Sequence, residues 1–294
     1  MDIVPYLLLA TLEGLTQASV LMLTALGLSI VFGAMRVVNV AHGEFYMLGA
    51  VGAWLCAHYI PGPPFVAFIC ALVLAPLFVG TIAAVADRLI LKRIDYNPEA
   101  TIVSTIGLLY IIQQFVLMTF GPNAQAVDPP FYYTIRFPWF GYSSYKIFII
   151  IAAVVLVYLL WRLLRGSHIG LLMRATQYDK DTAQNFGIPV DNVYSGVFAV
   201  GAMLAAVAGV LVVPNQQAHY LMGHDPLLLS FVVVIVGGLG SIPGTIAAAV
   251  LIGMSDGLFS VFFSPTMAKM VSTFLVAMVL VFKPEGLFGK ADRL

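Results

Sequence analysis

Charge is scarce in this chain. Only 10% of its 294 residues are Asp, Glu, Lys or Arg, and 61% are hydrophobic; soluble domains carry roughly a quarter charged residues. The apolar excess runs along the whole length. That excludes a soluble domain with one membrane anchor and points to a polytopic integral membrane protein. Net charge is zero, so the basic footprint of a nucleic-acid binder is absent. Cysteine is nearly missing: Cys56 and Cys70 both sit inside apolar runs, which excludes a disulfide framework and fits two small buried side chains. The start, MDIVPYLLLA, lacks the basic n-region of a cleaved signal peptide, so the first apolar segment reads as a retained span.

Chemistry-bearing patterns are equally sparse. No Ser/His/Asp order or paired-carboxylate arrangement stands out, and no enzyme activity is expected. VGGLGSIPGT looks superficially like a phosphate loop, but Thr245 follows Gly244 with no Lys between them, as a nucleotide loop would require. His42 and Glu44 are too few to hold a metal. No cofactor is expected.

Apolar runs of helical length are abundant. A span needs about 20 mostly apolar residues, with a range of roughly 17–25; spans fall at about 7–33, 45–60, 65–87, 101–119, 147–164, 193–213 and 267–282, with two short half-crossing or spanning pieces at 226–238 and 243–260. Pro61-Gly62-Pro63-Pro64 divides the second from the third, because proline opposes continued helix. Segment 121–146 is rich in Pro, Tyr, Trp and Phe and reads as a loop on the membrane surface. The fold expected is all-α: one polytopic transmembrane helical bundle over 1–294, with about 8–9 spans, some broken or half-crossing.

Nine crossings with the N-terminus outside put Arg36, Arg88, Lys92, Arg93, Arg162, Arg165, Arg174, Lys180, Lys283, Lys290 and Arg293 inside. Only Arg136, Lys146 and Lys269 remain outside. Lys and Arg favour cytoplasmic loops, so this asymmetry sets the expected orientation and a cytoplasmic C-terminus.

Three stretches interrupt the apolar pattern. In Val37–Gly49, Asn39, His42, Gly43 and Glu44 lie between two charge-free runs. Polar groups at membrane depth are costly unless they line a protein cavity, and broken helices bind substrate polar atoms in many transporters. The stretch reads as a break near an inner gate, with Asn39 and Glu44 the best path candidates. A short turn at the cytoplasmic boundary is the second reading. Asn39→Leu is expected to lower flux without affecting assembly. The second interruption holds Gly237, Gly238, Gly240 and Ser241, either lining a path or allowing close helix packing. The third is the polar loop at about 165–192, read as short amphipathic helices ending at Gly187, with Asp179, Lys180 and Asp181 on a solvated face. Gln17 lies one turn from Glu13 on the first span and joins the path candidates. Gln113 and Gln114 read as helix–helix contacts, and Asp256 as an interfacial residue.

Together these motifs resemble the LivH-type inner-membrane permease of branched-chain amino acid ABC importers. Asn39, Ala41, His42, Gly43 and Glu44 resemble that family's Asn-x-Ala-His-Gly-Glu/Asp signature. Gly170, Met173, Arg174, Ala175, Ala183, Gly187 and Ile188 resemble its cytoplasmic loop. VGGLGSIPGT and the tail FKPEGLFG resemble its late motifs; Val40 departs from a common Phe. The resemblance implies a bacterial inner-membrane subunit forming the translocation path for branched-chain or other small hydrophobic amino acids. It implies a second LivM-type permease, two cytoplasmic ABC ATPases and an external substrate-binding protein as partners, in a lipid bilayer and with no nucleic acid. The ATPases would dock on Gly170, Met173, Arg174, Ala175, Asp179, Ala183 and Gly187. The same branch holds permeases for urea and short amides, which stays open as the substrate class. A self-sufficient proton-coupled transporter or channel, with His42 and Glu44 as a relay, is the reading from another class.

Overall fold

A computed structural model describes residues 3–283 and 286–288. Pro284, Glu285, Lys290 and Arg293 of the expected inner tail lie outside the described residues. Helices occupy the expected segments: α1 (Ile3–Met35), α2 (His42–Tyr59), α3 (Pro64–Leu89), α4 (Pro98–Phe120), α5 (Ser144–Gly166), α6 (His168–Tyr178), α7 (Lys180–Asn185), α8 (Val190–Val212), α9 (His224–Gly237), α10 (Ile242–Phe262) and α11 (Pro265–Phe282). A small antiparallel hairpin, β1 (Thr134–Arg136) and β2 (Gly141–Ser143), sits in the aromatic loop. The bundle is all-α, as the apolar runs require: with no water in a bilayer core, each span must satisfy its own backbone.

Among the described residues, six helices (α1, α3, α4, α5, α8 and α10) are long and apolar enough to cross a membrane. α9 has only 14 residues, about 21 Å at 1.5 Å per residue, too short for a hydrocarbon core of about 30 Å. α2 has 18 residues and begins with His42 and Glu44. Of the two short pieces expected, α9 is half-crossing by length while α10, with 21 residues, is long enough to cross; the 18 residues of α2 reach about 27 Å.

Helix ends follow local chemistry. Pro98 opens α4 behind Asn97, whose Oδ1 accepts from Ala100 N at 3.1 Å. Ser167 Oγ caps α6 by accepting from Gly170 N at 3.1 Å, and Ser241 Oγ caps α10 by accepting from Gly244 N at 3.2 Å. Each oxygen satisfies one of the orphan N–H groups at a helix start.

α1 and α8 form the buried centre. They touch backbone to backbone: a Cβ on Gly201 would lie 2.7 Å from the Gly27 carbonyl oxygen. Without a hydrophobic drive between helices in lipid, small residues that permit such approach hold the bundle together. Around this centre lie two units. α1 runs antiparallel to α10, with Ser29 hydrogen-bonded to Thr245 at 2.9 Å near one end and Gly14 against Met254 near the other. α8 runs antiparallel to α3: Lys92 just past α3 pairs with Asp191 at the start of α8, at 3.0 Å. α2 rests on α8 and α9 on α1. The units α1–α2–α3 and α8–α9–α10 therefore traverse the bundle in opposite senses, each with a short middle helix.

The connections gather on two faces. One holds the 90–97 loop, α6 and α7, joined by Lys92–Asp191 and by Lys180–Asp95 at 3.3 Å. The other holds Lys146–Glu13 at 2.6 Å, Thr16–Tyr142 at 3.1 Å and a backbone bridge between Gln125 and Ala218. The loop at 121–143 exposes Tyr132, Tyr133 and Trp139, as an interfacial aromatic segment should.

Candidate functional site

The first interruption is not a surface turn. Arg36 takes a left-handed conformation, φ 54°, and ends α1. Residues 36–41 then run back into the bundle. Val40 N donates to Thr105 Oγ1 of α4 at 3.2 Å. Asn39, 1% exposed, accepts from Ala41 N at 3.0 Å through Oδ1. His42, fully buried, sits with Nε2 2.8 Å from the Thr24 carbonyl. A carbonyl only accepts, so Nε2 carries the proton. Thr24 lies eleven residues before Met35, so α2 starts about 16 Å back along α1. A turn at the cytoplasmic boundary would leave these groups at the end of α1; the His42–Thr24 bond excludes it.

The chain does the same once more, where the sequence showed only a short polar connection. After α8, residues 213–223 fold back before α9 begins. Gly43 and Gly223 meet: a Cβ on Gly43 would fall onto the Gly223 carbonyl and within 2.8 Å of Leu227 Cβ. The N-termini of α2 and α9 thus converge inside the bundle. A helix N-terminus carries about half a positive charge, and each first turn holds an acid, Glu44 in α2 and Asp225 in α9. Gln113 Nε2 donates to His224 Nε2 at 3.2 Å, tying α4 to α9 as expected of a helix–helix contact. Glu44 is 1% exposed, and its Oε2 has no partner among the described residues.

A cavity of about 580 Å³ opens beside this junction, between α1, α2, α9, α10, α11 and the 213–223 segment. That falls within the roughly 300–1,000 Å³ of small-molecule sites. Four helices line it with the same gradient. Gln17 is followed by Val20, Leu21 and Thr24 on α1; Asp225 by Leu228, Leu229 and Val232 on α9; Lys269 by Ser272, Thr273 and Val276 on α11; and Asp256 by Ile252 one turn back on α10. Tyr46 closes it from α2, and Gln216 and His219 from the re-entrant segment.

Of the residues singled out from sequence, Gln17 lines the cavity. Asn39, His42, Gly43 and Glu44 stand behind its wall, holding Thr24 and the α2–α9 junction in place. Gly237, Gly238, Gly240 and Ser241 line no part of it. They form the turn between α9 and α10, at the end of α1: Gly238 and Gly240 have φ 98° and 77°, and Gly240 packs on Gly33. The tail resemblance also has a physical basis here. Leu287 N and Phe288 N donate to the Val236 and Gly237 carbonyls at 2.7 and 3.2 Å, satisfying the end of α9. Sequence reading missed Asp225, His219, Lys269 and Ser272. One signal for them existed: a Gly-His-Asp-Pro opening an apolar run too short to cross.

Asn39 now has a structural task. Asn39→Leu removes the acceptor of a buried N–H, which costs about 1–3 kcal/mol. Both flux and thermal stability of the purified protein are expected to fall. Lost flux with an unchanged melting curve would instead indicate contact with the transported molecule.

The third interruption forms α6 and α7. Gly170 packs onto the Leu164 carbonyl at the end of α5, and Arg174 Nη1 donates to the same oxygen. Met173 and Ala175 are half-buried and Ala183 is buried. Asp179 caps α7, accepting from Thr182 N at 3.0 Å and Thr182 Oγ1 at 2.7 Å; these bonds hold its carboxyl below the usual range. Gly187, φ 79°, ends α7, with Ile188 N donating to the Ala183 carbonyl at 3.1 Å, a left-handed helix stop. Ile169, Leu171, Tyr178 and Phe186 remain exposed, and such an apolar patch beside charges suits a protein partner. The Gln177 amide lies over the Gly33–Gly240 contact: a Cβ on Gly33 would stand 3.3 Å from its Nε2.

Comparison with known proteins places the chain in context. A family model described as "Branched-chain amino acid transport system / permease component" matches residues 10–282. The chain is 30% identical to the high-affinity branched-chain amino acid transport system permease protein LivH of Escherichia coli K12, covering 98% of this chain and 97% of that one. It is 28% identical to BraD of Pseudomonas aeruginosa, a permease protein of the same description, over 95% of each. It is 25% identical to LivM of Salmonella typhimurium, over 92% of this chain and 68% of that one. No solved structure matches the chain significantly.

Proposed function

This chain belongs to the branched-chain amino acid transport permease family, and from that premise we propose that it is one of the two permease subunits of an ATP-driven importer for such amino acids. The family is one of transport permeases, and the chain is a multi-pass membrane protein. The observation that carries the reading is the cavity beside the meeting point of two helix N-termini. Discontinuous helices whose N-termini point into a binding region are a recurrent way to make a polar site within a bilayer. The bound amino acid occupies this cavity. The Gly33–Gly240 contact closes its path on the far side.

The basic face carrying α6 and α7 is the cytoplasmic one, which puts the N-terminus and the mouth of the cavity outside. Two ATPase subunits dock on the exposed Ile169, Leu171, Tyr178 and Phe186 and displace α6. The Gln177 amide passes that displacement to Gly33 and Gly240. A LivM-type permease completes the membrane part, and an external binding protein delivers the amino acid. The relay reading requires His42 to exchange protons with water, whereas His42 is fully buried with Nε2 bonded to Thr24.

Reconstitution tests the proposal. Proteoliposomes holding this subunit, its companion permease and the ATPases are expected to take up L-leucine only with ATP inside and binding protein outside. Uptake by the purified chain alone, driven by a proton gradient, would overturn it.

A further inference from the structure

The mouth of the cavity carries charge of both signs on facing helices. Lys269 of α11 lies 3.2 Å from Asp225 of α9, and both side chains are largely exposed, so the pair sits at the opening. Asp256 of α10 faces the same space and makes no ion pair among the described residues. An ionisable group within a membrane helix is costly and marks function by default. One turn below Lys269, Ser272 is 6% exposed, lines the cavity, and has a hydroxyl with no partner among the described residues. A buried hydroxyl left unpaired costs about 1–3 kcal/mol, a cost that a bound ligand would remove. Deeper still, Val232, Ile252 and Val276 make the walls apolar.

We propose that this mouth is the recognition site for the α-amino and α-carboxylate groups of a zwitterionic amino acid, with Lys269 and Ser272 on the carboxylate, Asp256 on the ammonium, and the apolar tail lying between Val232, Ile252 and Val276. The assignment follows from donor chemistry. Lys269 has three N–H donors and Asp225 engages one of them. The remaining donors and the Ser272 hydroxyl sit on one face of α11, three residues apart, a spacing that places side chains together. The acceptor, Asp256, lines the same cavity from the neighbouring helix α10. Charge-assisted bonds of this kind are the strong ones, and they discriminate against neutral ligands because an unfilled charged site must be desolvated without compensation. Urea and short amides offer neither a charge for either wall nor a tail for the apolar floor. The inference rests on the proposed importer function and assigns its specificity to particular residues.

Equilibrium binding to the purified full importer complex in nanodiscs, without binding protein, tests it. Three probes separate the contacts: L-leucine, 4-methylpentanoate, which lacks the ammonium, and 3-methylbutylamine, which lacks the carboxylate. The wild-type complex is expected to bind L-leucine at least about tenfold tighter than either analogue, a difference worth about 1.4 kcal/mol. Lys269→Gln should weaken L-leucine and 4-methylpentanoate about tenfold and leave 3-methylbutylamine unchanged. Asp256→Asn should do the reverse, weakening L-leucine and the amine only. This crossed pattern cannot come from misfolding, which would weaken all three probes alike. Unchanged affinities in both variants, or uniform losses in both, would overturn the assignment. A wild-type complex that hydrolyses ATP and accumulates urea but not L-leucine would instead overturn the proposed function beneath it.

Discussion

Gly240→Val is expected to abolish ATP-driven uptake. Gly240 has φ 77°, and a Cβ there would stand 2.8 Å from Gly33 Cα. A left-handed conformation costs a side chain roughly 1–2 kcal/mol, and forcing atoms into a packed contact adds about 1–3 kcal/mol. Neither Gly33 nor Gly240 has a flexible side chain that could yield, so backbone must move. The turn between α9 and α10 then separates from the end of α1, taking the seat of the Gln177 amide with it. Uptake by the reconstituted complex and its melting temperature are both expected to fall. Gly107→Val is the control: beyond its own stretch of α4 backbone, no atom of the described residues lies within 4 Å of a Cβ at that position, and it should leave both unchanged. Near wild-type uptake by Gly240→Val would mean that this contact is not part of the path's closure.

Gly170→Leu has the second largest expected effect, and on a different step. The Cβ would overlap the Leu164 carbonyl, so α6 cannot stay against the end of α5. Co-purification of the ATPase subunits is expected to drop at least about tenfold, the equivalent of losing 1.4 kcal/mol of docking free energy. Tyr178→Ser separates contact from positioning. Tyr178 is 92% exposed, so its loss leaves the subunit's melting unchanged while weakening ATPase capture. Full capture by both variants would move the docking surface elsewhere. Arg174 belongs with Gly170: its guanidinium serves the Leu164 carbonyl, which makes it a positioning residue for α6. Arg174→Met should therefore lower capture less than Gly170→Leu does.

These two variants also show how far the sequence reaches. Helix positions were legible because a bilayer permits few solutions: a charge-free run of about 20 residues has to be a helix. Pro61–Pro64 and the glycine-rich break at Gly237–Gly244 marked ends, because proline and glycine act within one turn of themselves. The amphipathic loop, with its stop at Gly187, was readable for the same local reason; the break at Asp179 was not, since that residue read as part of a solvated face. Gln17 was found because its neighbours on one helical face are fixed by a period of 3.6. Asp256 was visible as a lone charge, but nothing local said that it faced a cavity.

The opposite half of the site was not readable. Asp225 and His219 looked like loop polarity, because α9 is a short helix following a re-entrant segment, and re-entry is a long-range property. Lys269 meets Asp225 across 44 residues, and Gly43 meets Gly223 across 180. Such pairs depend on how helices cross, which side-chain periodicity within one element does not encode.

The sequence by itself therefore determined the membrane class, the helix segments, the amphipathic loop and the family signature, all of them set by composition and short-range chemistry. Only the tertiary structure decided the rest. It showed that Val37–Gly49 turns back to Thr24, that 213–223 folds back likewise, and that Gly237–Ser241 packs on α1 away from the cavity. The reason is physical: a broken helix has the same local chemistry at a membrane boundary as at its centre, and the depth of the break is set by the helices that pack around it.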